Sequence, residues 1–414
     1  MIRILNYSAA GDLIRRKTAR LDEAERVVVP IVADIRARGD AAVLEYARKF
    51  DGFEGSSLRV GRSECDSAKE RLAPEFVSAV ELAARNIREY AAAQLPREST
   101  IEYTDGRKLG QIVRPLDSMG AYIPAGRYPL PSTLLMTAIP AQVASVEHIA
   151  ITCPRPSQEI LGICSMLGIE NLYRVGGAQA IAALAYGTES IPRVERIVGP
   201  GNIYVAAAKK LIAGDAGIDF IAGPTEIAII AAEANPTHVA ADMLAQAEHD
   251  ADASAILLTT SRALADAVAR EIERQLANLP TAPVACQAIA NNSAIVMVSS
   301  LEQAVEFSNR LAPEHLALHD ASLLGGIRNA GSIFIGPHSP EAAGDYASGP
   351  NHVLPTSGAA RLRGGLSSAD FIKVISVQEL SREALAGLQK AVTTLARAEG
   401  LEAHALSVEV RLAR

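Results

Sequence analysis

The residues best equipped for chemistry fall in four short stretches. Residues 341–356, reading EAAGDYASGPNHVLPT, hold one acid, Asp345, and one imidazole, His352, in a run of small residues. Gly344, Gly349, Pro350 and Pro355 break helical and strand periodicity, so the sequence predicts a loop. Loops that set an acid and a His where two backbones approach closely commonly carry function. The stretch DMLAQAEHD puts Gln246 and His249 three apart, on one face of a helix. LAPEHLAL carries Glu314 beside His315, a carboxylate and an imidazole of different pKa that suit two successive proton transfers. If both serve one site, Pro313 must hold them in a turn where a strand begins, because neighbours on a strand point to opposite faces. Glu399, Glu402 and His404 crowd together past the end of the last helical stretch. Taken singly, each stretch reads equally well as solvated or capping polar residues. Taken together, Gln246, His249, Asp345 and His404 make a set of N and O donors that suits zinc, or a similar ion such as manganese or cobalt.

Other elements must bring these stretches together. Residues from about 16 to 100 are helical in pattern, as in 27–37 and PEFVSAVELAARNIREYAAAQ. From about Gly120 short β-branched runs alternate with helical segments. HIAITCP, LYRV, RIVGP, DFIAG, EIAIIAA, AILLTT and AIVMVSS read as strands, with helices between them such as 236–249 and 262–276. That alternation predicts parallel sheets in doubly wound α/β layers. Two glycine turns, Gly176-Gly177-Ala178-Gln179 and Gly199-Pro200-Gly201-Asn202, follow strands and open helices whose free N–H groups could face an anion. Neither is GxGxxG, and either reads equally as a plain turn. Near the end, Leu385, Leu388, Val392 and Leu395 form an apolar stripe between a Ser381 cap and a stop at Gly400. No internal repeat is visible.

Composition narrows the classes. The 414 residues predict two or three domains. Hydrophobic residues make up 49% but aromatics only 4%, with no Trp, so Ala, Val, Ile and Leu must build the core. A net charge of −7 with no basic run argues against nucleic-acid binding. MIRILNYSAAGDLIRRK lacks the apolar core of a signal peptide, and no stretch of about 18 apolar residues occurs, so a soluble cytoplasmic protein is expected. The four cysteines, Cys65, Cys153, Cys164 and Cys286, are scattered and read as reduced thiols.

Several longer motifs, in order, resemble those of histidinol dehydrogenases along nearly the whole chain. They are GAYIPAGRYPLPSTLLM, VGGAQAIAALAYGTESIP, VGPGN, AGPTEIAII, DMLAQAEHD, PEHL, AGDYASGPNHVLPT and EGLEAH. The resemblance implies Gln246, His249, Asp345 and His404 as ligands of one zinc ion per subunit, and Glu314 and His315 as the catalytic pair. It implies NAD contacts at Tyr122, Gln179 and Asn202. Substrate contacts fall at Thr225, Gln246, His249, His315, Asp345, Glu399 and His404, with Glu341 and His352 lining the same pocket. Thr225 stands where the family has serine, which keeps the hydroxyl. Arg127-Tyr128 is variable in the family and bears on fine substrate choice.

The implied reaction is the four-electron oxidation of L-histidinol to L-histidine with two NAD in turn, the last step of histidine biosynthesis. The implied fold is two incomplete Rossmann-like domains, akin to aldehyde dehydrogenases, with a small tail formed by the chain termini. Residues 16–119 and 225–366 would form the larger domain, 120–224 the NAD-binding domain, and 1–15 with 367–414 the tail. A homodimer with crossed tails would let His404 and Glu399 complete the partner's site. Two rivals stay open: a related zinc and NAD dehydrogenase of another polar primary alcohol, and a zinc hydrolase. The acids Glu341 and Glu399 favour histidinol over the first, and the matched NAD positions argue against the second.

Overall fold

The computed structural model describes residues 2–14, 21–125 and 129–413, so Arg127 and Tyr128 lie outside the described residues. β1 (Arg3–Asn6) opens the chain, and β2 (Ser99–Glu102) pairs antiparallel with β3 (Arg107–Pro115). β4 (Ser118–Tyr122), β5 (His148–Thr152), β6 (Asn171–Tyr173), β7 (Arg196–Val198) and β8 (Gly217–Ile218) form a parallel sheet ordered β6-β5-β4-β7-β8. β9 (Glu226–Ile230), β10 (Ser254–Thr259), β11 (Ala294–Met297), β12 (His315–Leu318) and β13 (Ser332–Ile335) form a second, ordered β11-β10-β9-β12-β13, with β1 added parallel beyond β11. β14 (Ile372–Leu380) returns to pair antiparallel with β3.

Counted within each sheet, both orders run third-second-first-fourth-fifth. One doubly wound half is thus built twice, although the sequence shows no repeat. Helices cover both faces, which is why β9 reads EIAII with every residue buried. The expected strands therefore form, with one exception. DFIAG leaves the sheet after β8, because Asp219 turns its carboxylate inward to the backbone N–H of Gly199 (2.7 Å) and Phe220 (2.6 Å).

The N-terminal helices pack on the inner helices of the five-stranded sheet. Helix Leu21–Arg38 lies on Gly177–Tyr186 and Ile203–Ile212, Arg62–Glu70 on Gln158–Leu167, and Pro74–Ala93 on Pro131–Val143. The N-terminal helices therefore cover the five-stranded sheet. The reason lies in the inner helices: Gly177–Tyr186 is buried at every position from Ala178 to Ala185, and a helix apolar all round needs a second layer outside it. β1 is an edge strand of the other sheet, paired parallel with β11.

The tail consists of β2, β3, β14 and two C-terminal helices. Ser381 caps Arg382–Ala398 by accepting from Ala384 N–H (3.1 Å), and Gly400 ends the turn at φ +76°. A second helix, Glu402–Leu412, then folds back on the first. Among the described residues, no helix is long and apolar enough to cross a membrane.

The second glycine turn is fixed by a buried ion pair. Lys209 Nζ donates to Asp219 Oδ1 (2.5 Å) and to the Gly199 carbonyl (2.6 Å), with both side chains out of solvent. Gly199 sits at φ +109°, and a Cβ there would run into the Tyr122 carbonyl. Replacing Lys209 with Met would strand the Asp219 carboxylate, an expected loss of about 3–5 kcal/mol. Thermal unfolding of Lys209→Met should show it as a clear drop in Tm, partly restored in Lys209→Met/Asp219→Asn. An unchanged Tm would contradict this account of the turn.

Candidate active site

The Glu314–His315 pair lies at the amino-terminal edge of the second sheet. β9 and β12 are neighbours, and His315 is the first residue of β12, level with Ile227. Helix Leu301–Leu311 ends at Ala312 in the left-handed conformation, and Pro313 then leads Glu314 into the strand. The chain must pass closely here, since a Cβ on Gly331 would meet the Glu314 carbonyl at 2.6 Å. Glu314 thus lies just outside the strand and His315 just inside it, as a turn at Pro313 requires.

Two donors converge on Glu314, and a third stands behind one of them. Glu314 Oε2 accepts from Thr225 Oγ1 (2.5 Å) and from the backbone N–H of Glu226 (3.0 Å). Gln246 Nε2 donates in turn to Thr225 Oγ1 (2.5 Å), which leaves its buried Oε1 without a hydrogen-bond partner among the described residues. His315 Nδ1 lies 3.3 Å from the Glu226 carbonyl, the geometry of a donated N–H, so Nε2 of the neutral ring is the free acceptor. That Nε2 stands 3.4 Å from Asp345 Oδ1.

Asp345 and Glu341 come from the stretch 341–356, where the sequence predicts a loop. Its first third is instead a short helix, Glu341–Tyr346, which sets the two acids four apart and so on one face. The remainder ties the two halves together. Asn351 Nδ2 donates to the Met136 carbonyl (2.6 Å), and His352 bridges Asp345 O (Nδ1, 2.7 Å) and Thr133 Oγ1 (Nε2, 3.3 Å).

Electrostatics here are set by carboxylates packed round one imidazole. Burial alone would lower the His315 pKa, but Glu314, Asp345 and Glu341 outweigh it and push it up to about 10. Burial raises Glu314 against the pull of His315, Thr225 and the Glu226 N–H. Burial likewise holds Glu341 well above the usual range, and its Oε2 has no partner. Asp345 would rise with burial too, but His315, with His352 and His249, brings it below its ordinary value.

Of the expected metal donors, Gln246, His249 and Asp345 share this neighbourhood. His404 does not: it is exposed on helix Glu402–Leu412, and Glu399 is exposed just past Arg382–Ala398. Among the described residues, no three His, Cys, Asp or Glu groups stand close enough to hold a metal ion. One chain therefore presents an incomplete donor set. The chemistry of what is present still fits a cation, since a buried amide oxygen without a partner lies among acidic side chains.

The expected cofactor residues gather at the carboxyl edge of the first sheet. Tyr122 ends β4, and its OH accepts from Gly177 N–H (3.4 Å). Burial pushes that phenol up to about 12. The glycine-turn N–H groups are less open than the sequence suggests. Asp51 Oδ2 accepts from Gly176 N–H (2.9 Å) and from Gln179 Nε2 (3.1 Å), and Asn202 Oδ1 accepts from Tyr204 and Val205 N–H (3.0 and 3.2 Å). Asp51 escaped the sequence reading. It ends a π-helical turn, Ala47–Asp51, and the only local mark is the glycine stop at Gly52, φ +68°.

The chain is similar to known proteins over its full length. The histidinol dehydrogenase family profile matches residues 14–412. The histidinol dehydrogenase of Geobacter sulfurreducens is 46% identical, with 99% of each chain aligned, and that of Geobacillus kaustophilus is 48% identical over 94% of each. The crystal structure of histidinol dehydrogenase from Elizabethkingia anophelis superposes with a TM-score of 0.95 at 38% identity, covering 99% of this chain and 98% of that one. An acetylating aldehyde dehydrogenase from Geobacillus thermoglucosidasius shares the fold alone, with a TM-score of 0.51 at 12% identity, over 88% of this chain and 99% of its own. The chain thus belongs to the histidinol dehydrogenase family of dehydrogenases.

Proposed function

We propose that this protein oxidises L-histidinol to L-histidine by way of histidinal, with zinc and two NAD in turn, as the last step of histidine biosynthesis in the cytoplasm. The observation that carries the reading is the Glu314–His315 pair. Two proton acceptors lie side by side, beside a buried Gln246 oxygen that still needs a partner. Gln246, His249 and Asp345 would hold zinc from one chain. Bound zinc would orient the imidazole and amine of the substrate as a template, and NAD, near Tyr122, Gln179 and Asn202 in residues 120–224, would accept hydride.

His315 takes the hydroxyl proton in the first oxidation. To accept it, the ring must be neutral, and a cation beside Asp345 offsets one of the negative charges that hold it protonated. Glu314, kept basic by burial and aimed by Thr225, takes a proton from the water that adds to the aldehyde. The first oxidation releases a hydride and one proton; the second, in which the added water supplies the second carboxylate oxygen, releases a hydride and two protons. Glu341 and His352 line the pocket, and the exclusion of water keeps the amino-aldehyde in place between steps.

The fourth donor, His404, and the acid Glu399 would come from a second copy. The tail supports this: Leu395 and Val410 are 65% and 64% exposed on its helices, and Val374 and Val377 are also exposed on β14. Apolar surface of this kind marks an interface.

Chelation should abolish turnover while circular dichroism stays near that of the loaded enzyme, because the ligands sit on an already large core. Undiminished oxidation by verified metal-free protein would exclude the zinc role. Mixing inactive His404→Ala with inactive His315→Ala protein should restore part of the activity, since the mixed dimer owns one intact site. No recovery after proven subunit exchange would count against crossed tails.

Glu314→Gln should slow histidinal oxidation by about 10²–10⁴-fold while changing the histidinol step far less. Single-turnover NADH formation from each substrate measures both. Equal losses would sink the division of labour between Glu314 and His315.

A further inference from the structure

In a doubly wound sheet a dinucleotide lies across the carboxyl ends of the strands, with its adenosine ribose held by an acid near the end of the second strand. β5 is the second strand of the five-stranded sheet. No acid follows it, for the chain continues Cys153-Pro154-Arg155. The fold supplies one from a distant segment. A Cβ on Gly176 would meet Pro154 Cγ at 2.7 Å and Asp51 Oδ1 at 3.0 Å, so the Asp51 carboxylate stands against Pro154, just past β5. Its Oδ2 is engaged by Gly176 N–H and by the amide of Gln179, the residue expected to meet the cofactor.

We propose, resting on the NAD reading above, that Asp51 is the specificity-determining residue that selects NAD over its 2′-phosphorylated counterpart NADP. Its free lone pairs accept the adenosine ribose hydroxyls. A 2′-phosphate would instead bring a second anion against a half-buried carboxylate whose two donors are already engaged. The nearby cation is Arg155, exposed on the same edge, where its Nη2 reaches the Ala125 carbonyl (3.1 Å). While Asp51 is ionised, that charge is shared with it, and a phosphate finds little net attraction. The same carboxylate accounts for the first glycine turn having no GxGxxG pattern. Its N–H already faces a negative group supplied by the protein, so the turn holds an acid in place of a phosphate.

The test is Asp51→Asn, whose amide oxygen still accepts both hydrogen bonds, so the turn keeps its shape. Steady-state kinetics on the zinc-loaded enzyme, with NAD and with NADP at saturating histidinol, give the two kcat/KM values. The NAD to NADP preference should fall at least about tenfold, through KM for the cofactors, with kcat on NAD within about threefold of wild type. Tm and zinc content should not move, which separates specificity from a general structural role. Asp51→Ser, with neither charge nor the full set of acceptors, should lower the preference further by also weakening NAD. An unchanged preference in both variants overturns the proposal and leaves the proposed reaction standing. If wild-type protein reduced neither cofactor with histidinol, the functional reading would fail. Fluorescence titration with NADH and NADPH would then still decide the role of Asp51, and equal affinities in wild type would refute it.

Discussion

The charge packed around His315 governs the rest of the site. Three carboxyl groups, Glu314 just before one strand and Glu341 and Asp345 on one short helix, are gathered largely out of solvent around one imidazole. Such an arrangement is costly unless each group is held by donors or balanced by charge. The surrounding structure can be seen as the answer to that cost. Thr225 and the Glu226 N–H hold Glu314, His315 balances Asp345, and Glu341 is driven toward its neutral form. The pairing of β9 with β12 exists to keep these groups in register, and Gly331 is small so that the next strand can approach.

The two sheets share one strand order but use opposite edges. The first presents Tyr122 and its glycine turns at the carboxyl edge, where such sheets ordinarily bind ligands. The second presents Thr225, Glu314 and His315 at the amino edge, next to the C-terminal end of helix Pro236–Ala247 that carries Gln246. A helix antiparallel to its strands ends at their beginning, so one crossover delivers both the amide and the strand-start acids to one place.

Much of this was legible in the sequence. The strand–helix alternation is local, and EIAIIAA, AILLTT and AIVMVSS announce themselves through continuous β-branched and aliphatic runs, whereas the short β13 and the exposed β14 carry no such mark. The Glu314–His315 turn was readable because Pro313 leaves the backbone few choices. What the sequence hid was set by tertiary contacts. Glu341–Tyr346 is helical despite Gly344, because that glycine lets the helix lie against the Phe334 ring. The N-terminal helices carry ordinary amphipathic patterns, and nothing in them says which sheet they cover; only the all-apolar Gly177–Tyr186 demands a second layer. Asp51 is reached through a contact of sequence separation 125, which no local pattern encodes. His404 is expected among the metal donors only by resemblance, and it stands exposed on the last helix.

The short passage from the first sheet to the second has a mechanical meaning. Residues 219–225 are anchored at the start by Asp219 in its ion pair, near the end by Gly223 N–H on Thr356 Oγ1 (2.6 Å), and at the end by Thr225 on Glu314. Six virtual bonds span at most about 20 Å. One short strap, fastened at both ends and once between, thus joins the Gly199 turn of the first sheet to the Thr225 hydroxyl beside the second.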